Sequence, residues 1–338
     1  MYTRYVWYES WVMAKIGLIG CGMWGRNLAR NLAQLEALFA VADRNSEAAN
    51  KFASAFNVRA MSVDALIENI DIDGIVIATS ASSHDELALA GLFGNKHIYI
   101  EKPLSLSLAG AHAIRDAANS AKRQVMVGHL IRYHAAFIEL QKQLGAGVIG
   151  SLYHVQANRL AMGRIRTTES VLFDLCPHDL SLILALIGEL PAKTHCAGAS
   201  HMTPGVVDFL TSSLGFDRGV SAGMQTSWLS PIKEHRLIVS GSAGALVFDD
   251  TKPWCEKLTL FRDQICLNGE YFLIDRASPV TLPINESEPL KDEMRAFIHS
   301  CDNDSPSLTD INEGIAVQKV LEALQNNLID TSLQSRIR

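Results

Sequence analysis

A glycine-rich turn near the start of the chain constrains the fold more than any other feature. Residues 16–25 read Ile-Gly-Leu-Ile-Gly-Cys-Gly-Met-Trp-Gly, an apolar strand that runs into closely spaced glycines. Gly20 permits a tight turn, Gly22 lets the backbone approach a pyrophosphate, and Gly25 lets the following helix pack closely. A helix start also attracts phosphate, because its N–H groups are free and its dipole is positive there. We therefore predict a strand, a phosphate-binding turn and a helix over residues 26–35.

An acidic residue follows the second predicted strand. Residues 38–42 are apolar, and Asp43 comes directly after them, about 20 residues past the first glycine, where a carboxylate binds the adenosine ribose. Because a carboxylate repels a 2′-phosphate, we predict NAD, with NADP as the alternative through the neighbouring Arg44. Met23 and Trp24, inside the turn, are then expected to contact the cofactor. The competing interpretation is a turn without phosphate, in which Asp43 caps the next element.

Strand and helix signals alternate through the first third of the chain. Apolar runs at 74–78, 97–100 and 124–128 are separated by predicted helices, which is typical of a parallel sheet with helices on both faces. Ligands of such sheets bind at the carboxyl ends of the strands. We therefore predict further cofactor contacts from six residues at or beyond these ends: Thr79, Ser80, His84, Glu101, Lys102 and His129. For His84, the favoured role is to fix its loop or to cap the next helix.

The pattern changes after about residue 130. Short alternating runs then follow one another, as expected of a mostly antiparallel sheet. The predicted fold class is α/β: an NAD(P)-binding Rossmann domain over 13–130, then an α+β domain over 131–338. Residues 1–12 are interpreted as a disordered or misassigned extension, the alternative being an arm that docks on a partner subunit.

Composition excludes several classes of partner. The formal net charge is −6, which argues against nucleic acid and anionic membranes. No apolar run reaches the roughly 18 residues of a membrane span. Six cysteines are scattered without a Cys-x-x-Cys pair, which indicates reduced thiols, no structural zinc and a cytoplasmic protein. No metal site is predicted.

Three motifs in order carry a resemblance to a known family. The glycine turn, Glu101-Lys102-Pro103 and Asp174-x-x-x-His178 resemble the glucose–fructose oxidoreductase/inositol dehydrogenase (Gfo/Idh/MocA) family along nearly the whole chain from Met13. A finer resemblance, to the branch found with sugar-nucleotide pathways, rests on residues 177–181 and on Ser227, Trp228, Pro231 and Lys233. Cys176 departs from the glycine that many members have there, which either narrows the pocket or is neutral.

The resemblance implies an activity and an assembly. It implies hydride transfer between a nicotinamide and a secondary alcohol or ketone of a sugar or nucleotide sugar. It also implies a homodimer or homotetramer built on the exposed face of the second sheet, to which 206–214 and 220–228 would contribute apolar residues. The alternatives are an inositol-type dehydrogenase of free polyols and a non-catalytic dinucleotide-binding regulator. A methyltransferase is disfavoured by Glu-Lys-Pro and by the antiparallel second half.

Lys102, His178 and Asp174 are the predicted catalytic residues. Lys102 is expected to stabilise the developing alkoxide or relay its proton, and the resemblance implies a cis Pro103 that aims this lysine inward. His178 is the predicted general acid/base, because imidazole titrates near neutrality. Asp174 lies four residues earlier, so on a helix it would share a face with His178 and orient the ring or bind a substrate hydroxyl. Pro177 either opens that helix at its first turn or kinks it.

Further polar residues are candidates for substrate binding. Arg132 and Tyr133 follow the last Rossmann strand and are expected to face the cleft, although a structural ion pair explains Arg132 equally well. For several polar residues of the second domain, recognition of sugar hydroxyls or phosphate and a plain surface role are equally favoured. The candidates there are Gln156, Asn158, Arg159, Arg164 and Lys233, together with Asp174 and His178.

Overall fold

The structure, a computed structural model, describes residues 13–331. The predicted extension over 1–12 lies outside these residues, as does the stretch 332–338. Between them the chain forms one parallel sheet, one larger mixed sheet and a separate two-stranded hairpin.

The first sheet has six parallel strands in the order β3-β2-β1-β4-β5-β6. Every residue of β1, β4 and β5 is buried, as expected of strands that are covered by helices on both faces. The predicted parallel sheet is thereby confirmed. Its elements are β1 Ile16–Ile19, α1 Met23–Gln34, β2 Leu38–Ala42, α2 Ser46–Phe56, β3 Arg59–Met61, α3 Val63–Glu68, β4 Gly74–Ile77, α4 His84–Phe93, β5 His97–Ile100, α5 Leu108–Ala121 and β6 Val125–Val127.

One helix start differs from the prediction. The first helix begins at Met23 and not at residue 26, so Gly25 lies within its first turn. The side chain of Asn45 caps α2 by accepting hydrogen bonds from the N–H groups of Glu47 and Ala48. Ser107 caps α5 in the same way.

The second sheet has nine strands in the order β16-β13-β12-β11-β7-β10-β9-β8-β17. Two of its pairs, β7–β10 and β8–β17, are parallel and the others antiparallel, so the predicted mostly antiparallel sheet is confirmed. The remaining elements are α6 Ala135–Gly145, β7 Leu152–Met162, α7 Val171–Asp174, α8 Cys176–Ile187, β8 Lys193–Ala199, β9 Phe209–Gly215, β10 Ser221–Ser227, β11 Leu229–Gly241, β12 Gly244–Asp249, β13 Leu258–Phe261, β14 Gln264–Asn268, β15 Tyr271–Asp275, β16 Val280–Thr281, α9 Pro289–Asn303, α10 Ile311–Asn326 and β17 Leu328–Asp330.

The outer face of β9 and β10 is not apolar, which corrects the prediction. Side chains alternate along a strand, and Leu210, Leu214 and Met224 point into the core of the second domain. The alternate positions on these strands carry Phe209 and otherwise small or polar residues such as Thr211 and Gln225. Most of the apolar residues seen in the sequence are therefore core residues, and the outer face of these two strands is mostly polar.

Helix α9 returns from the second half of the chain to the first sheet. Met294 and Phe297 lie in the same core cluster as Tyr99 of β5. The rings of Phe297 and Tyr99 meet edge to face with centroids 5.8 Å apart. A late segment thus completes the core behind the glycine turn, while the boundary near residue 130 stays a prediction. In the described part of the chain, no helix is long and apolar enough to span a membrane.

Candidate active site

The glycine turn has the shape that a pyrophosphate site requires. Gly20 has a φ of 111°, which favours glycine. A Cβ added to Gly25 would lie 2.0 Å from the carbonyl oxygen of Gly20, so helix and turn approach too closely for any side chain. At Gly22, by contrast, an added Cβ would meet no described atom within 4 Å. The absence of a side chain at Gly22 therefore serves something other than packing among residues 13–331.

The start of α1 fits the diphosphate and ribose of a dinucleotide. Gly22 is its N-cap and, within the described residues, provides no side-chain cap, so the first N–H groups face outward. Asp43 accepts hydrogen bonds from the N–H groups of Cys21 (2.7 Å) and Asn45 (2.8 Å). These bonds hold the carboxylate beside the turn, where the predicted ribose contact would form. Of the other predicted contacts here, Met23 and Arg44 are exposed.

His84 ties together the two loops that follow β4 and β5. Its Nδ1 lies 2.8 Å from the carbonyl oxygen of Pro103, and its Nε2 lies 3.4 Å from that of Thr79. The ring is buried, and burial lowers the pKa of His84 below its ordinary value. The Thr79 hydroxyl accepts from Ser83 at 2.8 Å, while Ser80 is exposed at the loop surface. The structure thus places His84 in the loop-fixing position.

Glu101 joins the glycine turn to the end of β5. Its Oε1 accepts hydrogen bonds from the indole N–H of Trp24 (2.5 Å) and from the hydroxyl of Tyr99 (3.0 Å). Burial raises the pKa of Glu101 above its ordinary value, against the opposing effects of these donors and of Lys102. Trp24, predicted as a cofactor contact, is therefore also a hydrogen-bond donor that fixes α1 to β5.

Lys102 and Asp174 form the centre of the candidate site. The ammonium of Lys102 donates to the backbone oxygen of Asp174 (2.6 Å) and to its Oδ1 (3.0 Å). Arg166 also donates to that Oδ1 at 2.7 Å, and the indole of Trp228 donates to Oδ2 at 3.1 Å. Burial tends to raise the pKa of Asp174, but Lys102 and Arg166 outweigh it and hold the pKa below its usual value. The peptide bond between Lys102 and Pro103 is cis, as the resemblance implied.

The predicted helical pairing of Asp174 with His178 is interrupted. Helix α7 ends at Asp174 and α8 begins at Cys176, with Pro177 in its first turn, so proline opens the helix and does not kink it. The carboxylate of Asp174 is occupied by Lys102, Arg166 and Trp228 and makes no hydrogen bond to His178 among the described residues. Its position orients the lysine and not the imidazole.

The surroundings of His178 disfavour the charged ring, which differs from the expectation that it titrates near neutrality. Burial is the main cause, and the charges of Lys102 and Arg159 add to it, so the pKa of His178 lies well below its ordinary value. Its Nδ1 is buried and has no hydrogen-bond partner within residues 13–331. A neutral imidazole accepts a proton at its unprotonated nitrogen, and this ring lies within the electrostatic reach of Lys102.

Arg159 forms an ion pair with Asp179, the residue that follows His178. Its Nη2 and Nε donate to the carboxylate of Asp179 at 2.6 and 3.0 Å, and both residues are buried. Burial lowers the pKa of Arg159, but Asp179 raises it by more. This forked ion pair anchors α8 to β7 and engages the Nε and Nη2 donors of Arg159.

His129, Arg132 and Tyr133 lie at the junction of the two domains. His129 Nδ1 is 2.6 Å from Oε2 of Glu313, whose Oε1 accepts from the hydroxyl of Ser181 at 2.5 Å and lies 3.6 Å from Arg132. Arg132 therefore lies in a structural ion pair, which was the alternative to its predicted role in substrate binding. Tyr133 is buried and its hydroxyl lies 3.1 Å from Thr309 Oγ1, away from Lys102's partners.

The other substrate candidates are spread over the second domain. Arg164 and Lys233 are exposed, on the loop before α7 and on β11. Gln156 and Asn158 bond to each other at 2.9 Å and alternate with the core residues of β7, so they face the outer side of the sheet. Cys176 is fully buried with its sulfur 3.6 Å from Thr226 and therefore packs in the core.

Sequence reasoning missed four residues that complete the site. Arg166 belongs to a polar segment with no motif, and Trp228 entered only through the finer family resemblance, without a role in the site. Ser181 and Glu313 come from α8 and α10, which only the fold brings to His129. No local signal marked Glu313, whereas the second arginine of the segment 163–169 was visible beside Arg164.

Comparison with known proteins agrees with these features. A family model described as the NAD-binding Rossmann fold of an oxidoreductase family (GFO/IDH/MocA) matches residues 14–129. The GFO/IDH/MocA C-terminal domain matches residues 137–247. The chain is 32% identical over 215 residues to UDP-N-acetylglucosamine 3-dehydrogenase of Acidithiobacillus ferrooxidans, covering 63% of this chain and 66% of that protein.

Other relatives are similar over different lengths. An inositol 2-dehydrogenase of Acidothermus cellulolyticus is 32% identical over 178 residues, which cover 50% of this chain and 52% of the relative. The aligned stretches thus span less than two thirds of either relative. The solved structure of the Acidithiobacillus enzyme superposes with a TM-score of 0.82 at 25% identity, covering 93% of this chain and 97% of that one. An aldose–aldose oxidoreductase from Caulobacter crescentus shares the fold at 18% identity and a TM-score of 0.80, covering 93% and 97%.

Proposed function

The chain belongs to the Gfo/Idh/MocA family of NAD-binding oxidoreductases, and we propose that it transfers a hydride between the nicotinamide and a secondary alcohol or ketone of a nucleotide sugar. One observation carries this proposal. Lys102, Asp174 and Arg166 meet at the carboxyl end of β5, beside the glycine turn and within the electrostatic reach of His178. Oxidation of a secondary alcohol needs a proton acceptor and a cation for the alkoxide, and this cluster offers both.

The cofactor would be held by the turn and the carboxylate next to it. The outward N–H groups at the start of α1 would bind the pyrophosphate, and Asp43 would accept from the ribose hydroxyls. When bound, the nicotinamide supplies the acceptor or donor of the hydride. Glu101 and Lys102, at the end of β5, would border the reactive end of the site.

The proton of the substrate hydroxyl is taken by His178 in this account. A neutral imidazole can accept it, and the pKa of His178, well below its ordinary value, favours the neutral ring. The ammonium of Lys102 stabilises the alkoxide, and Asp174 positions that ammonium through its side-chain and backbone oxygens. In the reverse direction His178 returns the proton to the carbonyl oxygen while Lys102 stabilises the developing charge on that oxygen.

The pH dependence of turnover tests the neutral histidine. Because the pKa of His178 is lowered, we expect the acid limb of alcohol oxidation to lie well below the ordinary histidine pKa of about 6.5. His178→Ala should remove that limb and lower turnover about a hundredfold. A limb near 6.5 in the wild-type enzyme, absent from His178→Ala, would contradict a neutral resting ring.

A nucleotide sugar is favoured over a free polyol by charge. Two arginines, Arg164 and Arg166, lie on the loop before α7, one exposed and one bonded to Asp174. Cations near the reacting group suit a diphosphate, which myo-inositol lacks. The relative named UDP-N-acetylglucosamine 3-dehydrogenase points the same way.

The test compares substrates directly. With NAD as oxidant, we expect a higher kcat/KM for UDP-N-acetylglucosamine or another UDP-sugar than for myo-inositol. A preference for myo-inositol would favour the inositol-type alternative. Binding of NADH without turnover of any member of either class would favour the regulator.

Homo-oligomerisation is part of the same proposal. The hairpin β14–β15 exposes Ile265, Tyr271 and Phe272, each more than two thirds accessible. Adjacent exposed apolar residues of this kind favour burial against another subunit. Light scattering at micromolar concentration should give a dimer or tetramer, and a monomer would contradict the proposal.

A further inference from the structure

Three acidic groups lie in line behind the cofactor turn. The hydroxyl of Tyr99 is 3.0 Å from Oε1 of Glu101 and 3.1 Å from Oε2 of Glu293. Tyr99 and Glu293 are fully buried, and Glu101 is only 9% exposed. The line connects α9, through β5, to the residue that holds Trp24 of the glycine turn.

This geometry requires a proton on one of the two carboxyl groups. A phenol has one hydrogen, so Tyr99 can donate to one glutamate only and must accept from the other. If both carboxyl groups were ionised, one would face the lone pairs of the phenol oxygen in a buried site, at a large cost in free energy. The three oxygens are compatible with a directed chain in which one glutamate donates, Tyr99 relays and the other glutamate accepts.

The two glutamates at the ends of this hydrogen-bonded row differ in their surroundings. Oε1 of Glu101 accepts from the indole of Trp24, and the charge of Lys102 favours its ionised form. Glu293 has only Tyr99, and its Oε1 is buried without a hydrogen-bond partner in the part of the chain described. The titratable groups that act on Glu293 from the neighbouring elements are Glu101, Tyr99 and Tyr133, all of them acids. The proton therefore belongs on Glu293.

We propose that Glu293 is a positioning residue that is kept as a neutral carboxylic acid: it donates to Tyr99, directs the phenol hydrogen onto Glu101, and so fixes the Glu101 carboxylate at the cofactor site. The consequence for the cofactor rests on the function proposed above. Burial first, and then the charge of Glu101, raises the pKa of Glu293 well above its ordinary value, in agreement with the geometry.

The packing around the three hydrogen-bonded groups supports this role. A Cβ added to Gly128, at the end of β6, would lie 2.6 Å from the Tyr99 hydroxyl and 3.1 Å from the carboxyl carbon of Glu101. The glycine leaves room for the hydroxyl and the carboxylate to meet. Phe297, one turn after Glu293 on α9, packs on the Tyr99 ring and holds it in line.

The protonation state can be measured without any cofactor. Infrared difference spectroscopy of the full-length protein in buffer at pH 8 should show the carbonyl stretch of an un-ionised carboxyl group, and Glu293→Gln should remove it. The matched control is Glu288→Gln, at the exposed start of the same helix, which should leave the band unchanged. Absence of the band, or its persistence in Glu293→Gln, would overturn the proposal even if the proposed function is correct.

Positioning is tested by NADH affinity in the same variants. Glutamine also donates from its amide, so Glu293→Gln should bind NADH within about twofold of wild type. Tyr99→Phe removes the donor to Glu101 and should weaken NADH binding about fivefold, as expected for one hydrogen bond. Equal weakening in Glu293→Gln and Tyr99→Phe would show that an ionised Glu293 is required and would contradict the proposal. Failure of the wild type to bind NADH would instead refute the proposed function, and the infrared band would still decide the state of Glu293.

Discussion

The two sides of the proposed active site are built from different parts of the chain. The proposed cofactor side is made largely of backbone: a glycine turn, the first N–H groups of α1 and a carboxylate held by two backbone donors. The proposed substrate side is made of side chains, in which Lys102, Arg166 and Trp228 converge on Asp174. A backbone site depends on a short local sequence, whereas a side-chain site depends on how distant segments pack. The two sides should therefore respond differently to substitution.

The largest effect is expected on the substrate side. Lys102→Ala removes the cation that would support the alkoxide and should lower turnover about a hundredfold or more. NADH affinity should change by less than about threefold, since the turn and Asp43 hold most of the cofactor. The control is Lys51→Ala, an exposed lysine on α2 that is paired with Glu47 of the same helix. Near-normal turnover in both Lys102→Ala and His178→Ala would show that other residues carry the chemistry.

Substitution of two glycines on the cofactor side distinguishes a role in packing from a role in binding. Gly25→Ala places a Cβ against the backbone oxygen of Gly20 and should cost on the order of 3 kcal/mol of unfolding free energy as well as NADH binding. Gly22→Ala meets open space, so its melting temperature should stay near that of wild type while NADH binding weakens about tenfold. Thermal unfolding and NADH titration on both variants check this. Equal destabilisation by both substitutions would contradict a ligand-facing Gly22.

Asp174→Asn should lower both the free energy of unfolding and the turnover. Asparagine cannot satisfy Lys102, Arg166 and Trp228 together, so we expect a loss on the order of 3 kcal/mol at neutral pH and about tenfold lower turnover. The pKa of Asp174 is below its ordinary value, so its contribution is present above about pH 4 and disappears as pH falls through the folded-state pKa. Denaturant unfolding of wild type and variant should converge in acid. A constant difference at all pH values would contradict the ion-pair account.

The smallest predicted effect concerns cofactor choice. Asp43→Asn keeps an acceptor for the N–H groups of Cys21 and Asn45 but removes the negative charge. The ratio of NADPH to NADH affinity should then rise about fivefold, because a 2′-phosphate is no longer repelled. Arg44→Ala, next to it, should move the ratio the other way. Tighter binding of NADPH than NADH by wild type would contradict the preference for NAD.

The difference between the two sides also explains what the sequence could predict. The turn and Asp43 were predictable because two buried strands, the glycine spacing and the acid all lie within 30 residues, and the parallel sheet followed from alternating strand and helix signals. Residues on the other side required the fold. Arg166 meets Asp174 only because α7 ends there, and Glu313 meets His129 only because α10 returns to β6.

Two errors have the same physical origin. Apolar residues on β9 and β10 were assigned to an outer face, although a period of two cannot say which face of a sheet is covered. His178 was assigned a near-neutral pKa from its residue type, but burial and two nearby cations lower the pKa. Both properties depend on the environment, which no local motif records.

The most direct test of this account is to measure turnover and NADH affinity on the same samples of Lys102→Ala and Gly22→Ala. Lys102→Ala should lose turnover at saturating NADH and keep its affinity. Gly22→Ala should lose affinity and recover most of its turnover when NADH is raised to saturation. Loss of the same quantity in both variants would contradict a cleft whose backbone side holds the cofactor and whose side-chain side performs the chemistry.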